Sequence, residues 1–472
     1  MPCRVLLVNP PATRKAYLDT NVNVGTPRLP SLSLAAVGGA LRSAGHEPRL
    51  LDLDLADVSG EPAAPALEAA LADFRPDFIG ITSITPTWHA AMEIAAAARR
   101  IMPAAKIALG GVHATLFPEE TLAGGSVDFA VLGEADFTLN DLIDARSPAD
   151  VPGLAVSSGG AAARTGPRAL IGNLDDLPPP AWDLFDRNRY RMSRLTERRR
   201  PGGFLETSRG CPFNCIYCNK STFGRKFRAK SPPRVLEEID TMIRVHGFRE
   251  LHIVDDGFST DPDRAKEICR LVINSGLKFP FNLFNGIRAD RVDEELIVLL
   301  KRAGCYQVAF GVESGSDRIL ESVSKGLARD KVRRAVALCG KHGVETFGFF
   351  MIGLPEDTRE TVLETIRFAV ELDMTISKFD IAVPLPGTAM FETLDSRGLV
   401  KSKDWRRYIF HRTDEPLFDH PNLSWNEIAD LYRLAYRRVY LRPAFIAKRF
   451  VHGLKTGGLL HDAAYFLNAR WR

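Results

Sequence analysis

The sequence lacks the features of exported and membrane-spanning proteins. Its first residues do not combine a charged segment with a long apolar one, so no signal peptide is predicted. No stretch reaches the roughly 18 uninterrupted apolar residues that a membrane-spanning helix needs. The seven cysteines are an odd number and four of them are scattered, which does not indicate a disulfide framework. These absences predict a cytoplasmic protein in a reducing compartment.

An excess of one charge sign is also lacking over the chain as a whole. The 472 residues contain 62 Lys and Arg and 58 Asp and Glu, a formal net charge of +4. This near balance argues against a nucleic-acid partner. The exception is the segment 431–460, which contains seven basic residues and no acidic one. Such a segment can make peripheral contact with a membrane of anionic lipid or with an acidic partner, and the simpler alternative is a solvated face packed on the rest of the protein.

What the chain does contain is a regular alternation of strand-like and helix-like segments. In residues 1–145 this alternation predicts an α/β domain with a doubly wound, Rossmann-like parallel sheet covered by helices on both faces. Residues 146–200 are rich in Gly, Pro and Ala and are predicted to be a linker. Six strand–helix units in residues 201–390 predict a partial (β/α)6 barrel. Residues 391–472 are predicted to form a helical C-terminal extension.

Three cysteines are crowded into eight positions after the first strand of the predicted barrel. They occur in the order Cys211-Pro-Phe-Asn-Cys215-Ile-Tyr-Cys218. Three thiolates on a loop can hold three irons of a cubane 4Fe-4S cluster and leave the fourth iron without a protein ligand. The alternative is a structural zinc site, which would need a fourth Cys or His nearby and usually has paired C-x-x-C halves. Because no second half is present, the cluster is the favoured interpretation.

Further residues suited to a ligand follow the later strands of the predicted barrel. The carboxyl ends of parallel strands meet at one edge, so these residues should lie near each other. Acidic side chains there can accept hydrogen bonds from ammonium and hydroxyl groups, an arginine can pair with a carboxylate, and glycines let backbone approach a flat ligand. The candidates are Asp255 and Asp256 after the second strand, Arg288 after the third, Glu313 and Ser314 after the fourth, and Gly353 and Glu356 after the fifth.

The cysteine motif resembles the signature of the radical S-adenosylmethionine (SAM) superfamily, C-x-x-x-C-x-aromatic-C, with Tyr217 in the aromatic position. The resemblance implies that SAM binds the open iron and is cleaved, after one electron from the cluster, to a 5'-deoxyadenosyl radical. It also implies that the polar residues after the second strand orient the methionine amino group. Segment 311–316 would then contact the ribose and methionine, and segment 351–356 would surround the adenine.

The first 145 residues resemble the cobalamin-binding domain that precedes the radical barrel in one large subclass of that superfamily. The resemblance implies cobalamin contacts at the ends of the third and fourth strands. The Asp-x-His-x-x-Gly loop that supplies a lower axial histidine in many cobalamin proteins is absent, so the axial ligand stays open. The implied contact residues are Thr82, Ser83, Gly110, Gly111 and His113.

The two resemblances together imply an enzyme that uses a 4Fe-4S cluster, SAM and cobalamin to methylate an unactivated carbon, with a flavodoxin or ferredoxin as electron donor. A cyclase or rearranging enzyme, such as the anaerobic magnesium-protoporphyrin cyclases, uses the same cofactors, and no residue separates the two. A cobalamin-based sensor or binding protein is a further alternative, but it would not need a complete radical barrel. The substrate is expected to be a small molecule, and the basic tail makes a lipid or isoprenoid worth testing.

Overall fold

The computed structural model describes residues 2–13, 27–158, 161–193, 195–410, 415–456, 458–459 and 463. Within these residues the strands form two large sheets and one two-stranded ribbon. No helix in this described part of the chain is both long enough and apolar enough to cross a membrane.

The first sheet belongs to the N-terminal third of the chain. Its strands are β1 (Arg4–Asn9), β2 (Glu47–Asp52), β3 (Phe78–Thr82), β4 (Lys106–Gly110), β5 (Phe129–Val131), β6 (Leu154–Ser158) and β7 (Ala161–Arg164). They lie in the order β2-β1-β3-β4-β5-β6-β7, and the first five are parallel. The order reverses between β1 and β3, and a doubly wound sheet binds its ligand beyond the carboxyl ends of the strands at such a point.

Helices cover both faces of this sheet. They are α1 (Leu32–Ser43), α2 (Leu53–Val58), α3 (Ala63–Phe74), α4 (Trp88–Ile101), α5 (Val112–Leu116), α6 (Pro118–Leu122) and α7 (Thr138–Asp144). Because β1 lies between β2 and β3 and is covered by helices, its apolar run Val5 to Val8 is completely buried. The prediction of a doubly wound α/β domain is therefore confirmed.

The segment 146–200, predicted from its composition as a linker, adds structure to the first domain. Its strands β6 and β7 form an antiparallel hairpin on β5. Farther along, Ala181 donates its backbone N–H to Ala35 of α1 at 2.8 Å, and Trp182 is buried. The hairpin was not apparent in the sequence because its strands consist largely of Ala and Ser, which have little tendency to form strands.

The second large sheet is an open barrel of six parallel strands. These are β8 (Gly202–Leu205), β11 (Glu250–Ile253), β12 (Phe281–Ile287), β13 (Cys305–Glu313), β14 (Glu345–Ile352) and β15 (Ile376–Ile381), in the order β15-β14-β13-β12-β11-β8. The ribbon of β9 (Ser208–Arg209) and β10 (Arg228–Ala229) follows β8. The helices between the barrel strands are α8 (Pro232–Arg244), α9 (Pro262–Asn274), α10 (Glu294–Ala303), α11 (Asp317–Ser322), α12 (Arg329–Lys341) and α13 (Arg359–Leu372). The predicted partial (β/α)6 barrel is thus confirmed.

The C-terminal extension protects one open edge of the barrel. It contains α14 (Ala389–Ser396), α15 (Trp425–Tyr440) and α16 (Pro443–Thr456). Tyr436 and Tyr440, one turn apart on α15, exchange hydrogen bonds of 2.8 to 3.2 Å with the backbone of Ser377 and Phe379 in β15. These hydroxyls satisfy backbone groups that an edge strand would otherwise leave free for pairing with another chain. The predicted helical extension is confirmed.

The amino ends of the barrel strands are closed by a buried polar network. Glu250 of β11 accepts hydrogen bonds from the backbone N–H groups of Arg198 and Arg199, at 2.7 and 2.6 Å, and from the Tyr306 hydroxyl. Asn282 of β12 donates to the same hydroxyl at 2.8 Å. Burial raises the pKa of Glu250 to about 7. The network therefore contains a carboxyl group that becomes charged near neutral pH.

We expect the Glu250→Gln variant to lose the pH dependence that this carboxyl contributes to stability. A folded-state pKa above the unfolded value near 4.5 means that the wild type loses stability as the pH rises through 7, on the order of 3 kcal/mol in total. Gln stays neutral over this range. Thermal midpoints measured between pH 5 and 8 should therefore fall less steeply for the variant. Glu68→Gln, at an exposed position, is the control, and parallel curves for Glu250→Gln and wild type would contradict the assignment.

Candidate active site

The three clustered cysteines lie on a loop at the carboxyl end of the barrel. The loop leaves through β9 and returns through β10, where Ser208 and Arg209 pair with Ala229 and Arg228. Gly210 closes the base of this loop with a φ of +78°, and a Cβ there would lie 2.3 Å from the Lys226 carbonyl oxygen. Only glycine fits such a close approach in the left-handed region. The two ends of the cysteine loop are thereby held close together.

The tip of the cysteine loop is attached to two other segments at the barrel mouth. Ile216 donates its N–H to the Val323 carbonyl at 3.1 Å, and its own carbonyl accepts from the Met390 N–H at 2.9 Å. The Asn219 amide donates to the Pro386 carbonyl at 2.9 Å. The segments that follow β13 and β15 therefore meet the cysteine loop, and together they cover the carboxyl edge of the barrel.

The donor set on this loop fits an iron–sulfur cluster with three protein ligands. Cys211 and Cys215 are half-buried and Cys218 is exposed. In the part of the chain that the structure describes, no three His, Cys, Asp or Glu side chains converge on a single ion. Three thiolates that each bind a different iron of a cubane do not need to converge in that way. The Tyr217 hydroxyl beside them is buried without a hydrogen-bond partner, and burial followed by the nearby Glu313 carboxylate holds its pKa well above the usual value.

Asp255 and Asp256 connect β11 to the start of the cysteine loop. The buried Asp255 carboxylate accepts hydrogen bonds from the Thr207 N–H at 2.6 Å, the Thr207 hydroxyl, and the Ser208 hydroxyl at 2.7 Å. Asp256 is exposed and accepts from the Gly210 N–H at 3.1 Å. Asp255 thus positions the loop, whereas Asp256 keeps an oxygen accessible at its base. Direct contact of either residue with SAM stays a prediction.

Arg288 is already paired within the protein. Its guanidinium donates to both oxygens of Asp290 at 2.9 and 3.0 Å and to the carbonyls of Lys325 and Gly326 at 2.8 Å. It also stacks over the Phe213 ring of the cysteine loop, 3.6 Å from the centroid. The sequence predicts that this arginine pairs with a ligand carboxylate. In the structure its guanidinium binds Asp290 and two carbonyls and stacks on the cysteine loop, and its contact with a ligand stays a prediction.

Glu313 ends β13 in a strained conformation. Its φ is +64°, which is rare for a residue other than glycine, and such strain is concentrated at functional sites. The buried carboxylate binds the Lys325 ammonium at 2.8 Å. Gly311 leaves room for this pair, since a Cβ there would lie 2.6 Å from a Glu313 oxygen. Lys325 carries no motif in the sequence, so its pairing with Glu313 was not predicted.

The remaining candidates after the fourth and fifth strands differ in what they can contact. The Ser314 hydroxyl is buried and shared with Thr365 at 3.0 Å. Gly353 adopts a φ of +82° and donates its N–H to Asp357 at 3.1 Å. Glu356 is exposed, whereas Asp357 is buried, and burial raises its pKa to about 6. Asp357 is therefore the acid that shapes this turn, and contact of Glu356 with SAM stays a prediction.

The candidates in the first domain come together at the carboxyl ends of β3 and β4. Ser83 donates its N–H to the Gly110 carbonyl at 2.8 Å. Gly111 has a φ of +103°, and a Cβ there would lie 2.2 Å from the Ser83 carbonyl oxygen. Thr82 is half-buried at the end of β3. Only glycine at position 111 allows the two strand ends to approach each other this closely.

His113 lies behind that edge in an aromatic cluster. Its ring is completely buried, 5.2 Å from Trp88, 5.0 Å from Phe117 and 5.5 Å from Trp405 between ring centroids. Burial, and then the neighbouring His89, lower the pKa of His113 to about 3. Trp405 belongs to the C-terminal extension, so the cluster also joins that extension to the first domain. Contact of His113 with cobalamin stays a prediction.

The first domain offers features that fit cobalamin at its strand edge. One ring nitrogen each of Trp88, His89 and His113 is buried without a hydrogen-bond partner, namely Nε1, Nδ1 and Nε2. In front of them Ile84 is 51% exposed at the end of β3, and the space around Gly133 after β5 is open. An open edge with apolar and glycine positions suits a broad, planar macrocycle.

A buried ion network joins this edge to the cysteine loop. Arg209, at the start of the loop, binds both oxygens of Asp136 at 2.8 and 2.9 Å and one oxygen of Glu134 at 3.3 Å. Arg228, at the end of the loop, binds Glu134 at 2.8 Å. All four side chains are buried. The network therefore fixes the end of β5 against the base of the loop, and none of its four residues was among the candidates predicted from the sequence.

Known protein families match the two domains separately. The model of the B12 binding domain matches residues 20–143, and that of the Radical SAM superfamily matches residues 205–369. The chain is 33% identical over 468 residues to the uncharacterized methyltransferase PH0819 of Pyrococcus horikoshii, which covers 96% of this chain and 98% of that protein. The chain belongs to the radical SAM enzymes with a B12-binding domain. A sensor without catalytic activity is therefore not retained.

Two further matches show the range of this radical SAM group. The anaerobic magnesium-protoporphyrin IX monomethyl ester cyclase of Cereibacter sphaeroides is 27% identical over 426 residues, covering 88% of this chain and 68% of that one. The radical SAM methyltransferase TsrM of Kitasatospora setae, solved with cobalamin and a [4Fe-4S] cluster, has a TM-score of 0.71 at 22% identity, covering 92% and 91%. The likeness to TsrM is one of fold. The radical SAM domain uses a 4Fe-4S cluster and SAM, and the B12-binding domain uses cobalamin.

We expect the Asp136→Ala variant to be much less stable than a surface variant of the same type. It removes the bidentate partner of buried Arg209, which keeps the Glu206 carboxylate at 2.7 Å and that of Glu134 at 3.3 Å, so the loss should be about 3 kcal/mol, at the lower end of the range for a broken buried pair. Asp183→Ala removes an equally bidentate but exposed partner of Arg42 and should cost about 1 kcal/mol or less. Thermal midpoints of the two reconstituted variants measure the difference, and equal losses would show that the network does not bear on stability.

Proposed function

We propose that this radical SAM enzyme transfers a methyl group, with cobalamin, to an unactivated carbon of a small molecule. The observation that carries the proposal is the arrangement of the two sites. A loop with three thiols at the barrel mouth is joined, through Arg209, Arg228, Glu134 and Asp136, to the strand edge of the B12-binding domain. The P. horikoshii relative, similar over nearly its whole length, is named a methyltransferase.

In this proposal Cys211, Cys215 and Cys218 hold the cluster. When bound, the cluster supplies an electron, SAM supplies a 5'-deoxyadenosyl radical and cobalamin supplies the methyl group. The protein's part is to hold the loop still and to keep water away from the barrel mouth. The bonds of Ile216 and Asn219 to neighbouring segments serve both purposes, because they fix the loop and cover the mouth.

The proposed SAM contacts divide into binding and positioning residues. Glu313, held by Lys325, and exposed Asp256 can accept hydrogen bonds from the hydroxyl and ammonium groups of SAM. Asp255 and Arg288 act through the cysteine loop, because their polar atoms are already used within the protein. The other proposed contacts, which line the same mouth, are Tyr217, Ser314, Gly353 and Glu356.

For cobalamin we propose the strand edge formed by Thr82, Ser83, Gly110 and Gly111. Gly110 and Gly111 carry no side chain, so a planar group can approach the backbone at this part of the edge. His113 is proposed to support the edge from behind through its aromatic neighbours.

A cyclase or rearranging enzyme is the second candidate function. The C. sphaeroides relative is named a cyclase and is similar over 88% of this chain. Both reactions would use the same barrel mouth, and they differ in whether the methyl group of SAM leaves the cofactor.

Radical SAM enzymes act on small molecules and receive electrons from flavodoxins or ferredoxins. We propose that one of these two proteins is the donor here and that the substrate is a lipid or an isoprenoid. We also propose that the basic segment 431–460 makes peripheral contact with an anionic membrane, where such substrates are dissolved.

We expect Cys215→Ala to abolish 5'-deoxyadenosine formation and to lower the iron bound per chain, because one of three cluster ligands is lost. The assay is anaerobic reconstitution followed by iron analysis, electron paramagnetic resonance and product quantification. Cys3→Ala, remote from the loop, is the control and should retain iron and activity. Unchanged deoxyadenosine output from Cys215→Ala would refute the cluster assignment.

Methyl-labelled SAM distinguishes the two candidate functions. A methyltransferase should place the label in a product and release S-adenosylhomocysteine as well as 5'-deoxyadenosine. The wild-type enzyme is incubated with cobalamin, a chemical reductant and a mixture of isoprenoid lipids, and the products are separated by mass. Deoxyadenosine formed with neither S-adenosylhomocysteine nor labelled lipid would favour the cyclase or rearrangement.

A further inference from the structure

The outer face of α16 is apolar and faces solvent. Ile446, Phe450, Val451 and Leu454 are 43, 53, 48 and 60% exposed. Ile446, Phe450 and Leu454 follow each other at intervals of four residues and therefore lie on one side of the helix, with Val451 at the margin of that side. Single exposed apolar residues are ordinary on protein surfaces, but a continuous apolar face on one helix marks an interaction site.

The inner face of α16 is fixed to the barrel. Phe445 is buried against the edge of the Tyr440 ring, with centroids 5.0 Å apart. The Lys448 ammonium donates to the backbone carbonyl of Asp373 at 2.6 Å and to the Asp373 carboxylate at 2.8 Å. The Arg442 guanidinium binds the same carboxylate at 3.0 Å. Since Asp373 follows α13, the helix is attached to the body of the enzyme. Its apolar face is therefore presented outward on a firm support.

The charge of the surrounding segment indicates what this face contacts. Residues 431–460 contain seven basic residues and no acidic one, which leaves 55 basic and 58 acidic residues in the rest of the chain. The formal positive excess of the sequence thus comes from this segment. Arg433, Arg442 and Lys448 are paired with Asp430 and Asp373, whereas Arg437 and Arg438 are exposed on α15. Two copies of this surface would bring like charges together, whereas an anionic lipid surface offers the complementary sign.

We infer that α16 lies in the interface of an anionic membrane, with Ile446, Phe450 and Leu454 inserted among the lipid head groups. An apolar helix face within a basic segment is the pattern of helices that lie in the membrane plane. This inference rests on the membrane contact proposed for residues 431–460, to which it assigns a surface. It does not depend on the reaction that the barrel catalyses. A barrel docked in this way can take its substrate from the lipid layer.

Vesicle flotation with the full-length reconstituted enzyme tests this surface. Wild type should float with vesicles of phosphatidylcholine that contain about 30% phosphatidylglycerol and should not float with pure phosphatidylcholine. The triple variant Ile446→Gln, Phe450→Gln, Leu454→Gln should bind the anionic vesicles about tenfold more weakly. Val245→Gln changes an apolar residue that is 74% exposed at the end of α8, and it should bind like wild type.

Three outcomes would overturn the inference. The first is equal binding of wild type and the triple variant to anionic vesicles. The second is that wild type does not bind vesicles but forms a dimer in sedimentation velocity, and that the triple variant is monomeric. This result would assign the face to a second copy of the chain. The third is vesicle binding that begins only when residues 457–472 are deleted, which would mean that this segment covers α16.

Deoxyadenosine formation in detergent-free buffer without vesicles separates this test from that of the proposed function. The triple variant should cleave SAM as fast as wild type, because α16 lies outside the proposed site. Wild type that binds vesicles without cleaving SAM would contradict the proposed function and support the surface. Wild type that cleaves SAM without binding vesicles would support the proposed radical chemistry and contradict the membrane surface.

Discussion

The buried ion network between β5 and the cysteine loop is the constraint on which the two-domain arrangement depends. Charged groups lose their hydration when they are buried, and this cost is offset only when every partner is present. Here Arg209 and Arg228 enclose the loop, and Asp136 and Glu134 follow a strand of the other domain. A rotation of one domain against the other would leave a buried charge without its partner. The distance between the strand edge and the three thiols is therefore set by electrostatics as well as by apolar packing.

The barrel mouth uses many of its polar groups to hold its own loops. Asp255 binds the start of the cysteine loop, and Arg288 stacks on Phe213 within it. Glu313 accepts a strained backbone conformation and is held by Lys325. A radical reaction requires this kind of preorganisation, because a reactive centre that moved or met water would react with the wrong partner. Two residues predicted from the sequence as ligand contacts, Asp255 and Arg288, thus also position the loop that carries the thiols.

The C-terminal extension resolves two problems that an open barrel creates. Tyr436 and Tyr440 satisfy the edge of β15, and Trp405 joins the aromatic cluster around His113 in the first domain. The extension therefore contacts both domains. Its last helix, α16, is held by Asp373 and has an apolar outer face. The same extension that covers the sheet edge therefore also carries the surface that we infer to contact a membrane.

Local patterns in the sequence predicted most of the secondary structure and the loop that we propose to hold the cluster. The alternation of strands and helices was predictable because periodic spacing is a property of neighbouring residues, whereas the hairpin of β6 and β7 was missed. The three cysteines were recognisable because they fall within eight positions. Tertiary structure alone decided which polar groups are free. Arg209 and Asp136 are 73 residues apart, and no local pattern connects them. Likewise, only the folded chain shows that Asp357 is buried beside exposed Glu356, since burial depends on contacts between distant segments.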